Sequence, residues 1–336
     1  MIFERFDPLS TPAVQACHVI TEAGRLLDHP NLPPLSLDGL RNWWFHGDDP
    51  QQNWLARDQS GQPVGCYQLQ LPERENRTMA FAGLFITPER RRAGAGTALL
   101  AHCAGRARQA GRRRLASTGS TRTKVRDGGP GASFAAATGA STGLAEVIRI
   151  QEITPALLAR LDDLRAEAEV HAAGYELLSW AGLTPAAHLE QVARVSGAMS
   201  DAPQDYGVEP EVLDAAQIRA LEQSGIANGA RLYSVAARQS ATGEFAAITQ
   251  LSTYPGTAGW ASQGDTVVRP GDRGRRLGIL VKIAMLHLVT QHEAGLRYVL
   301  TGNAESNVHM AAINERLGYR VADVYRSWEL DLTAAP

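Results

Sequence analysis

Two short runs in this sequence place glycine and arginine at the spacing that a bound diphosphate requires. Residues 83–96 and 264–278 each read as an apolar strand, a proline and an Arg/Gly turn that opens a helix. Pro88 aligns with Pro270, Arg91 with Arg273 and Gly96 with Gly278, all at one offset of 182 residues. The chemistry expected of such a run is anion binding. A helix N-terminus presents unpaired backbone N–H groups and a partial positive charge, and glycine lets that backbone approach a phosphate closely. In the first run the expected ligand contacts are Arg91, Arg92, Ala93, Gly94, Ala95, Gly96 and Thr97, with Phe85 and Ile86 at the end of the strand before them. In the second they are Val267, Val268, Arg273, Gly274, Arg275, Arg276, Leu277, Gly278 and Ile279. Arg276 stands where the first run has Gly94, and its side chain either crowds the ligand or adds a charge-assisted bond to it. Neither run has Gly-x-Gly-x-x-Gly with a later acidic residue, which argues against a dinucleotide site.

The form Arg-x-x-Gly-x-Gly, from Arg91 to Gly96, resembles the acyl-CoA signature of the GNAT (general N-acetyltransferase) superfamily. The resemblance covers nearly all of both halves. It implies an α/β (α+β) fold class with two tandem GNAT domains, each a mixed, mostly antiparallel central sheet flanked by helices. The expected division is residues 1–153, a connecting helix at 154–174, and residues 175–336. The chain is similar to tandem GNAT proteins of actinobacterial type, a group that holds mycothiol synthase-like and antibiotic-pathway acyltransferases. The resemblance implies acetyl-CoA or another acyl-CoA, no metal, and direct transfer to an amine of a small molecule. Thioester chemistry on a carrier-protein thiol, decarboxylation, or a non-catalytic acyl-CoA-binding module remain alternatives.

Within that resemblance the second half carries the later motif. Asn307, followed eleven residues on by Gly318-Tyr319, is similar to the family's Asn-containing segment, in which a tyrosine seven residues after the asparagine often protonates the leaving thiolate. Here that seventh position is Asn314. The first half has Gly128 and Ala135 at the two places, with Phe134 adjacent. Catalysis is therefore expected in the second half, with the first a structural or CoA-holding partner. Asp265, eight residues before Arg273, and Glu305, just beyond the next strand, are the candidate bases; a strand-edge or helix-capping carboxylate is the competing reading of each. Asn303 and Asn307 either contact the cofactor or cap the following helix. Trp43, Trp44, Tyr206, Tyr254 and Trp260 are candidates for the acceptor pocket, against plain core packing.

The elements that must position these residues follow from periodicity and turn chemistry. Strands are predicted over 2–6, 53–57, 63–71 and 78–86, with helices over 11–27, 36–45 and 96–110. Residues 117–143 are rich in Gly, Ala, Ser and Thr and read as a loop with one short helix near 133–138. A strand over 146–153 and a helix over 155–171 lead to the second half. There, strands over 175–180, 232–238, 246–254 and 260–268 surround helices over 185–199 and 209–224. A helix over 278–292, a strand over 298–300, a helix over 308–317 and a strand over 321–330 complete the reading.

Composition is compatible with this plan. With 336 residues, 44% of them hydrophobic, the chain can bury two cores of about 150 residues each. A net charge of -2 argues against a nucleic-acid or membrane-surface partner. Lys124 and Lys282 are the only lysines, an arginine bias expected of a GC-rich bacterial genome. Cys17, Cys66 and Cys103 have no metal-ligand spacing and read as reduced thiols. No run approaches the ~20 apolar residues that cross a bilayer. A cytoplasmic monomer or homodimer is expected.

Overall fold

The computed structural model describes residues 1–44, 49–120, 129–198, 208–209 and 214–333, with the side chains of residues 42–44 and 118–120 outside that description. In chain order the elements are β1 (Ile2–Phe6), α1 (Thr11–Asp28), α2 (Leu37–Trp44), β2 (Gln51–Arg57), β3 (Pro63–Gln70), β4 (Met79–Ile86), α3 (Ala95–Gln109), β5 (Arg114–Ser120), α4 (Pro130–Ala137) and β6 (Ser141–Glu152). They continue as α5 (Pro155–Glu169), β7 (Tyr175–Ala181), α6 (Leu189–Ser196), α7 (Ala215–Ala227), β8 (Arg231–Gln239), β9 (Phe245–Thr253), β10 (Trp260–Val268), α8 (Leu277–His292), β11 (Tyr298–Ala304), α9 (Val308–Arg316) and β12 (Arg320–Asp331).

Two compact units result. The first comprises Met1–Val147 and Ala322–Pro336, with a short segment around Glu209. Its strands run in the order β1-β2-β3-β4-β5, followed by β12 and the first part of β6. β1 to β4 form an antiparallel meander and β5 lies parallel to β4. β12 pairs antiparallel with β5, from Tyr325 opposite Ser120 to Asp331 opposite Arg114. Side chains alternate along β4 as a strand's period of two requires. Phe85 packs with Val14, Cys17 and Ile20 of α1, while Leu84 and Ile86 pack with Leu99 and Cys103 of α3. The sheet thus has one face under α1 and α2 and another under α3.

The second unit comprises Ile148–Pro203 and Glu211–Val321. Its order is the last part of β6, then β11-β10-β9-β8-β7, with β10 and β11 parallel and β7 to β10 antiparallel. α8 is apolar on nearly every side, burying residues from Leu277 to Val289. A helix of that kind needs cover all round. The sheet provides it on one side, and Leu157, Leu161 and Ala168 of α5 join the same cluster on another. α6 and α7 supply a separate cluster, Val192, Val195 and Ile218, against Phe245, Ile248 and Val267.

The predicted elements are present with shifted ends. The helix expected over 209–224 begins at Ala215, because Asp214 accepts from Gln217 N–H while the Gln217 side chain accepts from Asp214 N–H, closing a capping box. Residues 185–199 divide into a 3₁₀ turn, Ala186–His188, and α6. β6 and β11 are longer than expected; β5 is absent from the predicted strands, and its residues 117–120 belong to the stretch read as a loop. Their added residues, Leu144 excepted, are small or polar and carry no apolar alternation, so only neighbouring strands specify them. Residues 121–128 of the predicted loop lie outside the described residues. No helix among the described residues is long and apolar enough to cross a membrane.

Lys282 of α8 is the outlier of this core. It is 2% exposed and its ammonium lies 5.0 Å from the centroid of the Tyr319 ring. Burial pulls its pKa down to about 7. The folded state therefore holds fewer protons than the unfolded chain between pH 7 and the ordinary lysine value, so stability rises with pH across that window. Lys282→Met is expected to stabilise the protein by about 2 kcal/mol at neutral pH and to flatten that rise, as read by chemical unfolding at a series of pH values.

Candidate functional site

Both Arg/Gly loops are built alike. Each leaves its strand through a short 3₁₀ turn, Pro88–Arg90 or Pro270–Asp272, and then places two residues in the left-handed region before the helix starts. In the first unit these are Arg92 at φ 63 and Gly94 at φ 81; in the second, Gly274 at φ 81 and Arg276 at φ 56. The two loops have exchanged which position carries glycine and kept the backbone. Left-handed residues turn successive N–H groups into one concavity, a shape that holds anions. Gly94 and Arg276 are the N-caps of α3 and α8, and neither helix has a side-chain hydrogen bond at that cap. No side chain therefore occupies the first-turn amides, of which Ile279 N–H bonds the Arg276 carbonyl at 3.2 Å.

The second glycine of each loop has a different job. A Cβ on Gly96 would lie 3.2 Å from the Phe134 ring, and one on Gly278 would lie 3.5 Å from Ile313 Cδ1. Phe134 on α4 and Ile313 on α9 correspond in the repeat. In both units glycine lets the following helix press against the first turn of the cradle helix, so its role here is packing. Ala93, Ala95 and Thr97 flank the first concavity, and Leu277 and Ile279 are buried in the second unit's core.

The arginines are mostly committed within the protein. Arg91 pairs with Asp28 at 2.8 Å and reaches the Ile86 carbonyl at 3.4 Å. Arg273 makes the corresponding bond to the Val268 carbonyl at 3.3 Å. Arg276 pairs with Glu167 of α5, which also binds Arg316, and these bonds hold the Glu167 carboxyl below the usual range. Arg275 stacks over Tyr175, 5.6 Å from its ring centroid, and Tyr175 donates to Asp272 at 2.7 Å. Arg92 and Arg275 are exposed at the rims of the two concavities.

Beside each cradle the sheet opens. β4 pairs with β5 only from Met79 to Phe81, and β10 pairs with β11 only from Trp260 to Ser262. Beyond these rungs the parallel strands part, leaving a wedge with backbone edges on both arms. In the first unit β4 keeps an unbroken register with β3 from Phe81 to Ile86, and its arm is apolar. In the second, the register between β10 and β9 slips between Gln263 and Thr266, a bulge that holds Gly264 and Asp265. The bulge is braced from within: Gln263 donates to Thr249 Oγ1 at 2.9 Å and to the Gln250 carbonyl at 2.6 Å, Thr249 Oγ1 donates to the Asp265 carbonyl at 3.3 Å, and it lies 2.7 Å from Thr266 Oγ1. Solvent reaches Asp265, yet the protein around it displaces enough water to raise its carboxyl above the usual aspartate range.

Register places the other second-unit candidates. Asp265 is three residues past the last rung on β10, and Asn303 is three past it on β11. Glu305 follows β11 directly and is exposed. Asn303 Oδ1 accepts from Arg149 at 2.8 Å and from Asn314 at 3.3 Å, and Asn314 is fully buried. Asn307 is the N-cap of α9, accepting from Met310 N–H at 3.1 Å. The wedge thus brings Asp265, Asn303 and Glu305 to one opening. It does not include Trp260, whose ring lies tilted against Tyr298 at the closed end, about 26 Å of strand from Val268. Tyr254 lies beside that end, in the turn into β10. The side chains of Trp43 and Trp44 on α2, and all of Tyr206, fall outside the described residues. The bulge braces escape sequence reading, because hydroxyl and amide side chains in strands are unremarkable singly. Arg149 left a trace, a charge set between Ile148 and Ile150 in the buried part of the strand.

Residues 22–126 match the family model described as Acetyltransferase (GNAT) family. The whole chain is similar to a tandem GNAT protein from the clavulanic acid biosynthesis pathway, solved without AcCoA, at 27% identity and a TM-score of 0.81, covering 100% of this chain and 99% of that one. A GCN5-related N-acetyltransferase from Sphaerobacter thermophilus shares the fold at 12% identity and a TM-score of 0.71, over 98% of this chain and 95% of that one. A glucosamine N-acetyltransferase region of a fungal multi-domain GH3 beta-N-acetylglucosaminidase does so at 15% and 0.64, over 98% and 38%. No curated protein matches the sequence.

The exchange of glycine between loops yields a paired test. Arg92→Gly relieves a left-handed non-glycine residue and is expected to stabilise the first unit by about 1 kcal/mol, whereas Gly94→Ala imposes the same conformation on a Cβ and destabilises it by about 1 kcal/mol. Denaturant midpoints of the two variants check both signs.

Proposed function

We propose that this chain, which has the tandem GNAT fold, is an acyl-CoA-dependent acyltransferase that moves an acyl group, most simply acetyl, to an amine of a small molecule. Catalysis is assigned to the second unit. The observation that carries the assignment is the braced bulge at Asp265, which sets a carboxylate of raised pKa on one arm of a wedge whose mouth lies beside an uncapped helix.

Each chain residue has a defined task in this reading. The first-turn amides of α8 and the concavity formed by Gly274 and Arg276 hold the diphosphate, with Arg275 at the rim. The parted edges of β10 and β11 receive the pantetheine arm by backbone hydrogen bonds. An acyl-CoA supplies an activated carbonyl, and the unpaired N–H groups of the bulge are placed to bind its oxygen as charge develops there. Asp265, ionised, takes the proton that the ammonium form of the acceptor must lose before it can attack; Glu305 is the second candidate for that task. Asn303, fixed by Arg149 and Asn314, lines the opposite arm. The first unit offers the same cradle and wedge without a bulge, so it is proposed to bind acyl-CoA as well.

Calorimetric titration with acetyl-CoA tests the cradles separately. Thr97→Glu and Arg275→Glu each put a carboxylate where a diphosphate is proposed to bind, and Thr97→Glu also favours its helix electrostatically. Each is expected to weaken one site at least tenfold and leave the other; wild type with no acetyl-CoA binding ends the proposal. With an amine panel and detection of released thiol, kcat/KM should fall as pH drops through a pKa above the ordinary aspartate value, since the base works ionised. In Asp265→Asn that acidic limb should disappear along with most of the rate. An unchanged limb in Asp265→Asn moves the base to Glu305.

A further inference from the structure

A charged cluster beside the second cradle is not used by the reading above. Arg276, the N-cap of α8, contributes its backbone to the concavity, while its guanidinium runs out to Glu167 of α5. Arg316, the last residue of α9, meets the same carboxylate, its Nη2 lying 3.1 Å from Oε2. Two guanidinium groups thus converge on one carboxylate, and the cluster keeps a net positive charge. Each arginine commits one nitrogen to Glu167 and retains further N–H donors. Glu167 is 53% exposed and Arg316 43%, so these ion pairs face solvent, where such pairs are weak. They hold the guanidinium groups in place without consuming them.

The backbone under the cluster is fixed. Leu157, Leu161 and Ala168 of α5 pack with α8 on a side that the sheet does not cover. Arg160 of α5 donates to the Arg316 carbonyl at 3.1 Å, and Gln151 of β6 donates to the Leu317 carbonyl at 2.5 Å. The last carbonyls of α9, which would repel an anion, are thereby covered. Ile313, three residues before Arg316, reaches the first turn of α8 at Gly278, so the end of α9 stands beside the cradle. The first unit has neither arginine. Gly94 occupies the place of Arg276, and in the register that aligns Phe134 with Ile313, Ala137 occupies the place of Arg316.

Coenzyme A carries a phosphate on its ribose 3′ oxygen in addition to the diphosphate. With the pantetheine arm led into the wedge, the ribose leaves the concavity at the other end of the diphosphate. The 3′-phosphate then stands one ribose away from the cradle, and the Arg276 guanidinium stands one arginine side chain away from the same backbone. We propose that the guanidinium groups of Arg276 and Arg316 form the site for this 3′-phosphate, so that the second unit takes free coenzyme A thioesters in preference to donors that lack the group, the pantetheine arm of a carrier protein among them. The inference rests on the acyl-CoA reading above and deepens it by naming the donor class. A phosphate dianion accepts from both guanidinium groups at once. Glu167 orders them before the ligand arrives, which lowers the cost of binding.

Calorimetry with coenzyme A and with dephospho-coenzyme A, which differs only in lacking the 3′-phosphate, tests the proposal. The parent protein carries Thr97→Glu, so that the second cradle is read alone, and is compared with the same protein bearing Arg276→Gly or Arg316→Ala. Arg276→Gly keeps the left-handed N-cap, and Arg316→Ala changes an exposed side chain, so both variants fold. The parent is expected to bind coenzyme A roughly tenfold or more tighter than the dephospho form. Each substitution should cut that ratio to about threefold or less and leave the affinity for dephospho-coenzyme A unchanged. The ratio is the readout because general damage to the cradle weakens both ligands alike. Equal affinity of the parent for the two ligands, or a ratio that survives both substitutions, overturns the proposal and leaves the acyl-CoA reading standing. Binding of neither ligand by the parent also overturns it, and wild type with acetyl-CoA then shows whether the acyl-CoA reading falls as well.

Discussion

A parallel strand pair that stops pairing after three rungs is the constraint from which the rest of each unit follows. Strand edges inside a sheet normally satisfy one another, and buried backbone groups without partners are costly. β4 with β5, and β10 with β11, withhold those bonds where an extended amide-bearing ligand can complete them. Such a wedge persists only if both arms are held from outside. β3 and β12 hold the first pair, and β9 and β6 hold the second. The cradle helices then begin at the end of one arm, so the diphosphate loop and the wedge are a single structure extending from the strand end into the sheet.

Within that common frame the two units diverge by small means. The left-handed positions are the same, yet one loop gives the first to arginine and the other gives it to glycine. Strain of about 1 kcal/mol at a non-glycine residue is affordable in a core of this size, which is why glycine count alone misjudges the second loop. The wedge arms differ more. A one-residue slip against β9 puts a carboxylate into the second wedge, whereas the first keeps an apolar arm.

The fold was largely legible because the repeat states it twice: proline, arginine and glycine recur at a fixed offset, and each strand or helix pattern in one half has a counterpart in the other. Ends were less legible. β5, β6 and β11 continue through Ser, Thr, Gly and Asn residues that carry no alternation, so only tertiary pairing extends them. Asp265 and Asn303 stand across one wedge, and Asn307, whose type also suits a cap, does cap α9. Tyr254 and Trp260 were chosen for being aromatic, a property that fixes no position along a strand. The 2.5 Å bond between His29 Nδ1 and Asp323 Oδ2 was not legible in the sequence, since nearly three hundred residues separate them.

That sheet order has a consequence for how the protein is made. β5 of the first unit finds its antiparallel partner in β12, about 200 residues later in the chain, so during vectorial synthesis the first unit's helices and meander emerge long before its sheet can close. Until β12 arrives, β5 presents an unpaired edge, the kind of surface that chaperones cover and that neighbouring chains capture. Duplication of the domain has thus not produced two folding units in series, and a ribosome must finish the second copy before the first is complete.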